Sequence, residues 1–228
     1  MTYATATDAT RIYYETAGSG RPILLITGAF SSLEDWHASG VFEDLAKDRR
    51  VIAMDLRGHG KSDRPHDAAS YGWPKNAADA LAVLEAEDAR GADVYGFSMG
   101  GQVVVAMLHQ NTTRLRSLCA MGVYVPNDEF EPPAQQLLDR AASLRAQGLT
   151  PAALEADALQ IQDRPPAAWV ERAVAGDAEA YIAEAEGQAA MDDQRLPSSG
   201  PPTLLVAADG DPYAVALCQE LPSRYAYV

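Results

Sequence analysis

The sequence is short of positive charge. Its 228 residues carry 18 Lys and Arg against 32 Asp and Glu, a formal net charge of −14. Nucleic-acid binding needs a basic footprint to replace the counterions of the phosphate backbone, so this balance argues against such a partner. Cysteine is scarce as well. Cys119 falls in an apolar strand-like run and Cys218 in a helix-like one, with no CxxC spacing. Both read as buried thiols rather than as a disulfide or a metal site. No apolar run approaches the ~20 residues of a membrane span, and the opening MTYATATDATRIYYETAG lacks the basic-then-apolar pattern of a signal peptide. A cytoplasmic protein is the expectation.

What is present suits one globular unit. Hydrophobic residues make up 47% of the chain, enough at this length to bury a sizeable core. Tyr3–Thr7 and Arg11–Thr16 alternate around a turn and predict a β-hairpin. Four continuous apolar runs follow, Pro22–Thr27, Arg50–Leu56, Ala92–Phe97 and Leu115–Val123, and a fifth spans Pro202–Ala208. Such runs suit strands buried on both faces. Helical spacing separates them, at Trp36–Lys47, Asn76–Ala86 and Ser98 to about His109, and returns at Asp211–Leu221 before a last strand in RYAYV. The alternation predicts βαβ units, a mostly parallel sheet and helices on both faces, an α/β fold.

Residues 126–196 break that rhythm with helical patterns alone. Leu137, Leu138, Ala141 and Leu144 share one face, as do Leu154, Ala158 and Ile161, and Trp169, Val170, Ala173 and Val174. Pro151 and Pro165-Pro166 suit first-turn positions. This stretch holds 14 Asp and Glu against 5 Arg, so it carries −9 of the net charge of −14. It reads as a solvated helical insert, a lid over a core formed by residues 1–125 and 197–228.

The segment GFSMGG, Gly96–Gly101, contains G-x-S-x-G between a strand and a helix. A sharp strand-to-helix turn of this kind strains the serine backbone and presents its hydroxyl at the carboxyl edge of the sheet. It also sets the Met99 N–H at a helix N-terminus, where a developing oxyanion would be stabilised.

With these residues the chain resembles the α/β-hydrolase superfamily. LLITGAF is similar to the family's strand and oxyanion loop, with Thr27 where His is usual. DLRGHGKSD, Asp55–Asp63, resembles the D-x-R-G-x-G-x-S segment, whose role there is mostly structural. The resemblance implies Ser98 as nucleophile, and Met99 and Ala29 N–H groups as the oxyanion hole, with Phe30 as the other candidate for the second donor. It implies a triad acid after the strand that follows the insert. Asp211 matches, Asp209 is the alternative, and Asp128 would serve if the acid followed the previous strand. Phe30 and Trp169 are expected to line the substrate site, with Phe130, Leu137 and Tyr181 as further lining candidates.

The resemblance places the general base, a histidine, just beyond the final strand. If RYAYV is that strand, the loop would begin after Val228. Of the histidines present, His109 lies roughly 16 Å along its helix from Ser98, and His59 reads as a structural loop residue. His37 and His66 read as rim residues that could in principle reach Ser98. The closing helix would follow the same loop, so one sheet face is expected to be bare and to support self-association. The expected activity is serine hydrolysis of an ester, thioester or lactone of a small to medium apolar molecule, without cofactor. Readings of another class are a non-catalytic small-molecule-binding protein, or a tailoring enzyme such as a C–C hydrolase or cyclase on the same fold.

Overall fold

The computed structural model describes residues 1–123, 134–159, 167–190, 196–206 and 225–227. One eight-stranded sheet runs through it in the order β1-β2-β4-β3-β5-β6-β7-β8. The strands are β1 (Thr2–Thr5), β2 (Arg11–Ala17), β3 (Pro22–Ile26), β4 (Arg50–Met54), β5 (Ala92–Phe97), β6 (Leu115–Met121), β7 (Thr203–Val206) and β8 (Tyr225–Tyr227). The hairpin β1–β2 joins β4 in antiparallel pairing. Every later pair is parallel.

The period-two alternation of each strand sorts its side chains between two cores. Leu24, Ile26, Ile52, Met54 and Val94 pack against helices α3 (Trp73–Ala86) and α4 (Met99–Met107). Leu25, Val51 and Ala53 face the other way, onto α1 (Glu34–Ala38) and α2 (Val41–Leu45). The single helix expected over Trp36–Lys47 is therefore two. Gly40, at φ 75°, breaks it by adopting the left-handed conformation that glycine takes without steric cost. On this second face a groove of about 620 Å³ lies between the two short helices and the sheet, lined by Ile23, Trp36, Leu45, Tyr95, Cys119 and Leu204. Cys119 is thus half-buried rather than fully buried, and its thiol is pushed above its ordinary value by that burial.

Between β6 and β7 come four helices, α5 (Ala134–Gln147), α6 (Pro151–Leu159), α7 (Ala167–Val174) and α8 (Ala178–Ala189). They form a small core of their own from Leu144, Leu154, Val170, Ala173 and Tyr181, into which Phe30 projects from the loop after β3. The expected apolar face of α5 is narrower than its spacing suggests. Ala141 and Leu144 are buried, whereas Leu138 is 44% exposed. Asp211, Asp209, Asp128, Phe130, Ile161 and Cys218 lie outside the described residues, as does the helix expected over Asp211–Leu221.

Candidate active site

Strand β5 ends at Phe97 and α4 begins at Met99, so Ser98 makes the whole turn by itself, at φ 53° and ψ −118°. A side-chain-bearing residue adopts that conformation only where its surroundings enforce it, at a cost of order 1–3 kcal/mol. The enforcement is visible. The Ser98 N–H donates to the Met121 carbonyl at 2.7 Å, tying the turn to the end of β6. The glycines on either side let backbone meet backbone: a Cβ on Gly100 would lie 2.4 Å from the Ile26 carbonyl oxygen and 2.5 Å from that of Thr27. A Cβ on Gly28 would lie 3.2 Å from the Ser98 Cβ, so the loop after β3 passes directly beside the serine.

That loop is fixed by the segment after β4. Asp55 is buried, accepting the Leu33 N–H at 2.7 Å and the Lys61 N–H at 2.7 Å, and burial raises its carboxyl to about 6. Ser62 Oγ donates to the Asp55 carbonyl at 2.8 Å and accepts the Tyr13 N–H at 2.9 Å. Arg57 forms a forked pair with Asp79 of α3, both contacts at 2.7 Å, and a third contact to Asp8 at 2.9 Å. These carboxylates hold its guanidinium well above the ordinary value despite burial. His59 is fully buried. Its Nε2 accepts the Phe30 N–H at 3.1 Å, and its Nδ1 lies 3.2 Å from the Arg57 carbonyl. A carbonyl can only accept, so the proton sits on Nδ1. Burial lowers the imidazole to about 4.

The bond to His59 separates the two candidates for the second oxyanion donor. The Phe30 N–H is already taken. Among the described contacts, the Ala29 and Met99 N–H groups have no acceptor. Phe30 itself stands at φ 57°, its ring edge-on to Tyr181 at 4.9 Å and Trp169 at 6.1 Å, beneath the Arg140 guanidinium at 5.4 Å. Helix α8 closes in from the insert. Gln188 Nε2 lies 3.3 Å from the Met99 sulfur, and Glu184 Oε2 lies 3.7 Å from His59 Nε2. Glu184 is buried, and its Oε1 has no hydrogen-bond partner among the described residues. Burial raises its carboxyl to about 8, against the opposing charge of Arg140. Neither the Glu184 carboxyl nor the Phe30–His59 bond was signalled by sequence spacing.

The histidines that sequence left as rim candidates are committed elsewhere. His37 on α1 meets Glu43 through Nδ1 at 2.6 Å and Glu15 through Nε2 at 3.1 Å, and these carboxylates raise its value against burial. His66 meets Asp177 and Glu179, each at 2.9 Å. His109 lies past the far end of α4, which starts at Met99, just after Ser98.

The profile of the alpha/beta hydrolase fold family matches residues 21–154, more than half of the chain. The 2-hydroxymuconate semialdehyde hydrolase of Pseudomonas sp. (strain CF600) is 37% identical over 107 residues, 46% of this chain and 38% of that protein. The non-heme haloperoxidase of Rhodococcus erythropolis is 40% identical over 130 residues, 55% of this chain and 45% of that one. The matches thus span less than half the length of these relatives. Among solved structures, a putative aryl esterase from Burkholderia cenocepacia superposes with a TM-score of 0.78 at 25% identity, covering 99% of this chain and 88% of that one. The enol-lactonase from Burkholderia xenovorans LB400 gives 0.77 at 24% identity, with 100% and 90% covered. Matched over more than half of its length, and carrying the strained serine between a strand and a helix, the chain belongs to the α/β hydrolase fold family.

Proposed function

We propose that this chain is a serine hydrolase that cleaves an ester, thioester or lactone of a small to medium apolar substrate through an acyl-enzyme on Ser98. The observation that carries the reading is the enforced positive-φ backbone at Ser98, between a strand and a helix whose first N–H has no acceptor among the described contacts. Strain of this kind has no structural use at a plain helix start.

In this reading Ser98 Oγ attacks the carbonyl carbon, and the Ala29 and Met99 N–H groups receive the oxyanion. Each such donor contributes on the order of 10²–10³ in rate. Asp211 would orient the base, as the acid does in a Ser-His-acid triad. Acyl transfer through a serine draws on no cofactor. The ring of Phe30, two residues after the Gly28 that passes beside the serine, packs with Trp169 and Tyr181 from the insert, and in this reading the insert serves as the lid that selects the acyl or alcohol group.

The commitments of His37, His59 and His66 give the binding-protein reading its support, because a serine hydroxyl is a weak nucleophile without a base. Hydrolysis of a short p-nitrophenyl ester by the 228-residue chain, with Ser98→Ala as control, tests both. Serine-dependent steady turnover supports the hydrolase. Retention of an unaltered ester with equal affinity in both proteins supports a binding protein. Stoichiometric acylation of Ser98 without turnover places the nucleophile and leaves deacylation to a base other than His37, His59, His66 and His109.

A further inference from the structure

The oxyanion loop has one residue whose backbone needs explaining besides the serine. Phe30 is bulky and sits at φ 57°, a conformation that costs an L residue roughly 1–2 kcal/mol. Its ring is caged by Trp169 and Tyr181, but ring packing constrains the side chain more than the peptide. The peptide between Ala29 and Phe30 is constrained at its N–H, by His59 Nε2. The acceptor is itself immobile. Its ring is inaccessible to solvent, its Nδ1–H is spent on the Arg57 carbonyl, and its face lies against Tyr181 at 4.9 Å. Arg57 is in turn locked to Asp79 and Asp8.

We propose that His59 is the positioning residue of the oxyanion loop: by accepting the Phe30 N–H through Nε2 it fixes the peptide that follows Ala29, and so holds the Ala29 N–H beside Ser98. The inference rests on the hydrolase reading for its catalytic consequence, though not for the loop geometry. It gives the RGHG segment a role beyond shaping the turn after β4. An apolar aromatic residue could fill the same space, whereas a neutral imidazole with a fixed tautomer fills it and also offers an acceptor. The burial that lowers its proton affinity keeps that acceptor lone pair available. Tyr181 and the Glu184 carboxyl reach the same imidazole from α8, so the seating of the insert and the geometry of the loop meet at one ring.

The test compares His59→Leu, which keeps bulk and removes the acceptor, with His59→Gln, whose amide oxygen can still reach the Phe30 N–H. Two readouts are taken on the intact chain: amide hydrogen exchange at Ala29 and Phe30 by NMR, and kcat and KM for Ser98-dependent hydrolysis of a p-nitrophenyl ester. In His59→Leu the Phe30 amide is expected to exchange at least about tenfold faster while the β3 and β5 amides keep their protection. In the same variant kcat is expected to fall about tenfold to a hundredfold, with KM nearly unchanged. His59→Gln should restore most of both. Unchanged Phe30 exchange in a folded His59→Leu, or equal losses in the two variants, overturns the proposal. If His59→Leu does not fold, His59→Asn, too short to reach the N–H, replaces it. If the parent chain shows neither serine-dependent turnover nor acylation of Ser98, the hydrolase reading fails, and the exchange comparison alone decides whether His59 holds the loop.

Discussion

The sheet core and the helical insert are both well packed, but by different means. Around the elbow, backbone meets backbone. Strand β5, the loop after β3 and the start of α4 approach so closely that the Gly100 position has carbonyl oxygens where any side chain would begin. In the insert, contact is between side chains, through Leu144, Leu154, Val170 and Tyr181. The charged groups differ likewise. Arg57 and Asp79 form a buried, forked pair in the core. Arg145 and Glu186, joining α5 to α8, stand 54% and 32% exposed. Side-chain contacts can repack, whereas carbonyl oxygens of a hydrogen-bonded sheet cannot withdraw without unpairing it. A fold built this way holds the Ser98 turn rigidly and leaves the packing of the insert adjustable.

The sharpest way to break the comparison is Gly100→Ala. The new methyl meets the Ile26 and Thr27 carbonyls at 2.4 and 2.5 Å, and the expected loss is about 3 kcal/mol or more. Thermal unfolding should show little folded protein at 37 °C. Leu154→Ala, in the insert core, changes more atoms but is expected to cost only about 2–3 kcal/mol, because neighbouring helices can close on the space. A smaller loss for Gly100→Ala than for Leu154→Ala would reverse the contrast. Asp79→Ala comes next. It leaves the buried Arg57 charge with Asp8 as its one counter-charge among the described residues, at about 3–5 kcal/mol, read as a fall in the urea midpoint.

The same contrast governs what could be read from sequence. The core elements were legible because each carries a local signal. The apolar runs at Leu24–Ile26 and Val51–Met54 place strands buried on both faces, and glycines at fixed spacing around Ser98 encode close approach. In the insert, spacing located helices but not their depth. Leu138 is exposed beside buried Ala141, since which part of an apolar stripe is covered depends on partners distant in sequence. Glu184, in the alanine- and glutamate-rich YIAEAEGQ, has the spacing of a solvated face, and its burial follows from α8 packing against α5, the segment before α3 and His59. His59 was legible as a loop residue. Its bond to Phe30 joins positions 29 residues apart, which no local pattern encodes. Self-association through a bare sheet face stands as a proposal for the groove that Tyr95 and Leu204 line. Sedimentation of the chain as a monomer alone, at tens of micromolar, would end it.

Glu184 offers a finer test, because its effect depends on pH. A carboxyl raised from 4.5 in the unfolded chain to about 8 when buried binds its proton more tightly in the native state. The native state therefore loses stability as pH rises from 4.5 towards 8, by roughly 1.4 kcal/mol per pH unit at most. The groups facing it are His59 after β4, Tyr71 before α3, Tyr181 on its own helix and Arg140 on α5. His59, lowered from 6.5 to about 4, acts at the other end, removing stability as pH falls from 6.5 to 4. Glu184→Gln keeps the neutral shape without the titration. Its urea midpoint should match the parent near pH 5 and exceed it near pH 8. A constant offset across that range would show that the carboxyl is not the titrating group.

The smallest effect is expected from the exposed pair that bridges the insert. Arg145 Nη1 and Glu186 Oε1 are 2.6 Å apart, close enough for a good contact. Both side chains reach water, though, and ordering two long chains offsets most of the attraction. In a double-mutant cycle with Arg145→Ala and Glu186→Ala, the urea midpoint should hardly move, and whatever coupling is seen should vanish in 1 M salt, where the Debye length is about 3 Å. The Arg57–Asp79 pair, out of reach of the salt, should keep its coupling under the same conditions. A large, salt-resistant coupling between Arg145 and Glu186 would mean that α5 and α8 are held by charge as the core is. The apolar cluster around Tyr181 would then be filling space that the charges define, and the insert would be as rigid as the elbow that holds Ser98.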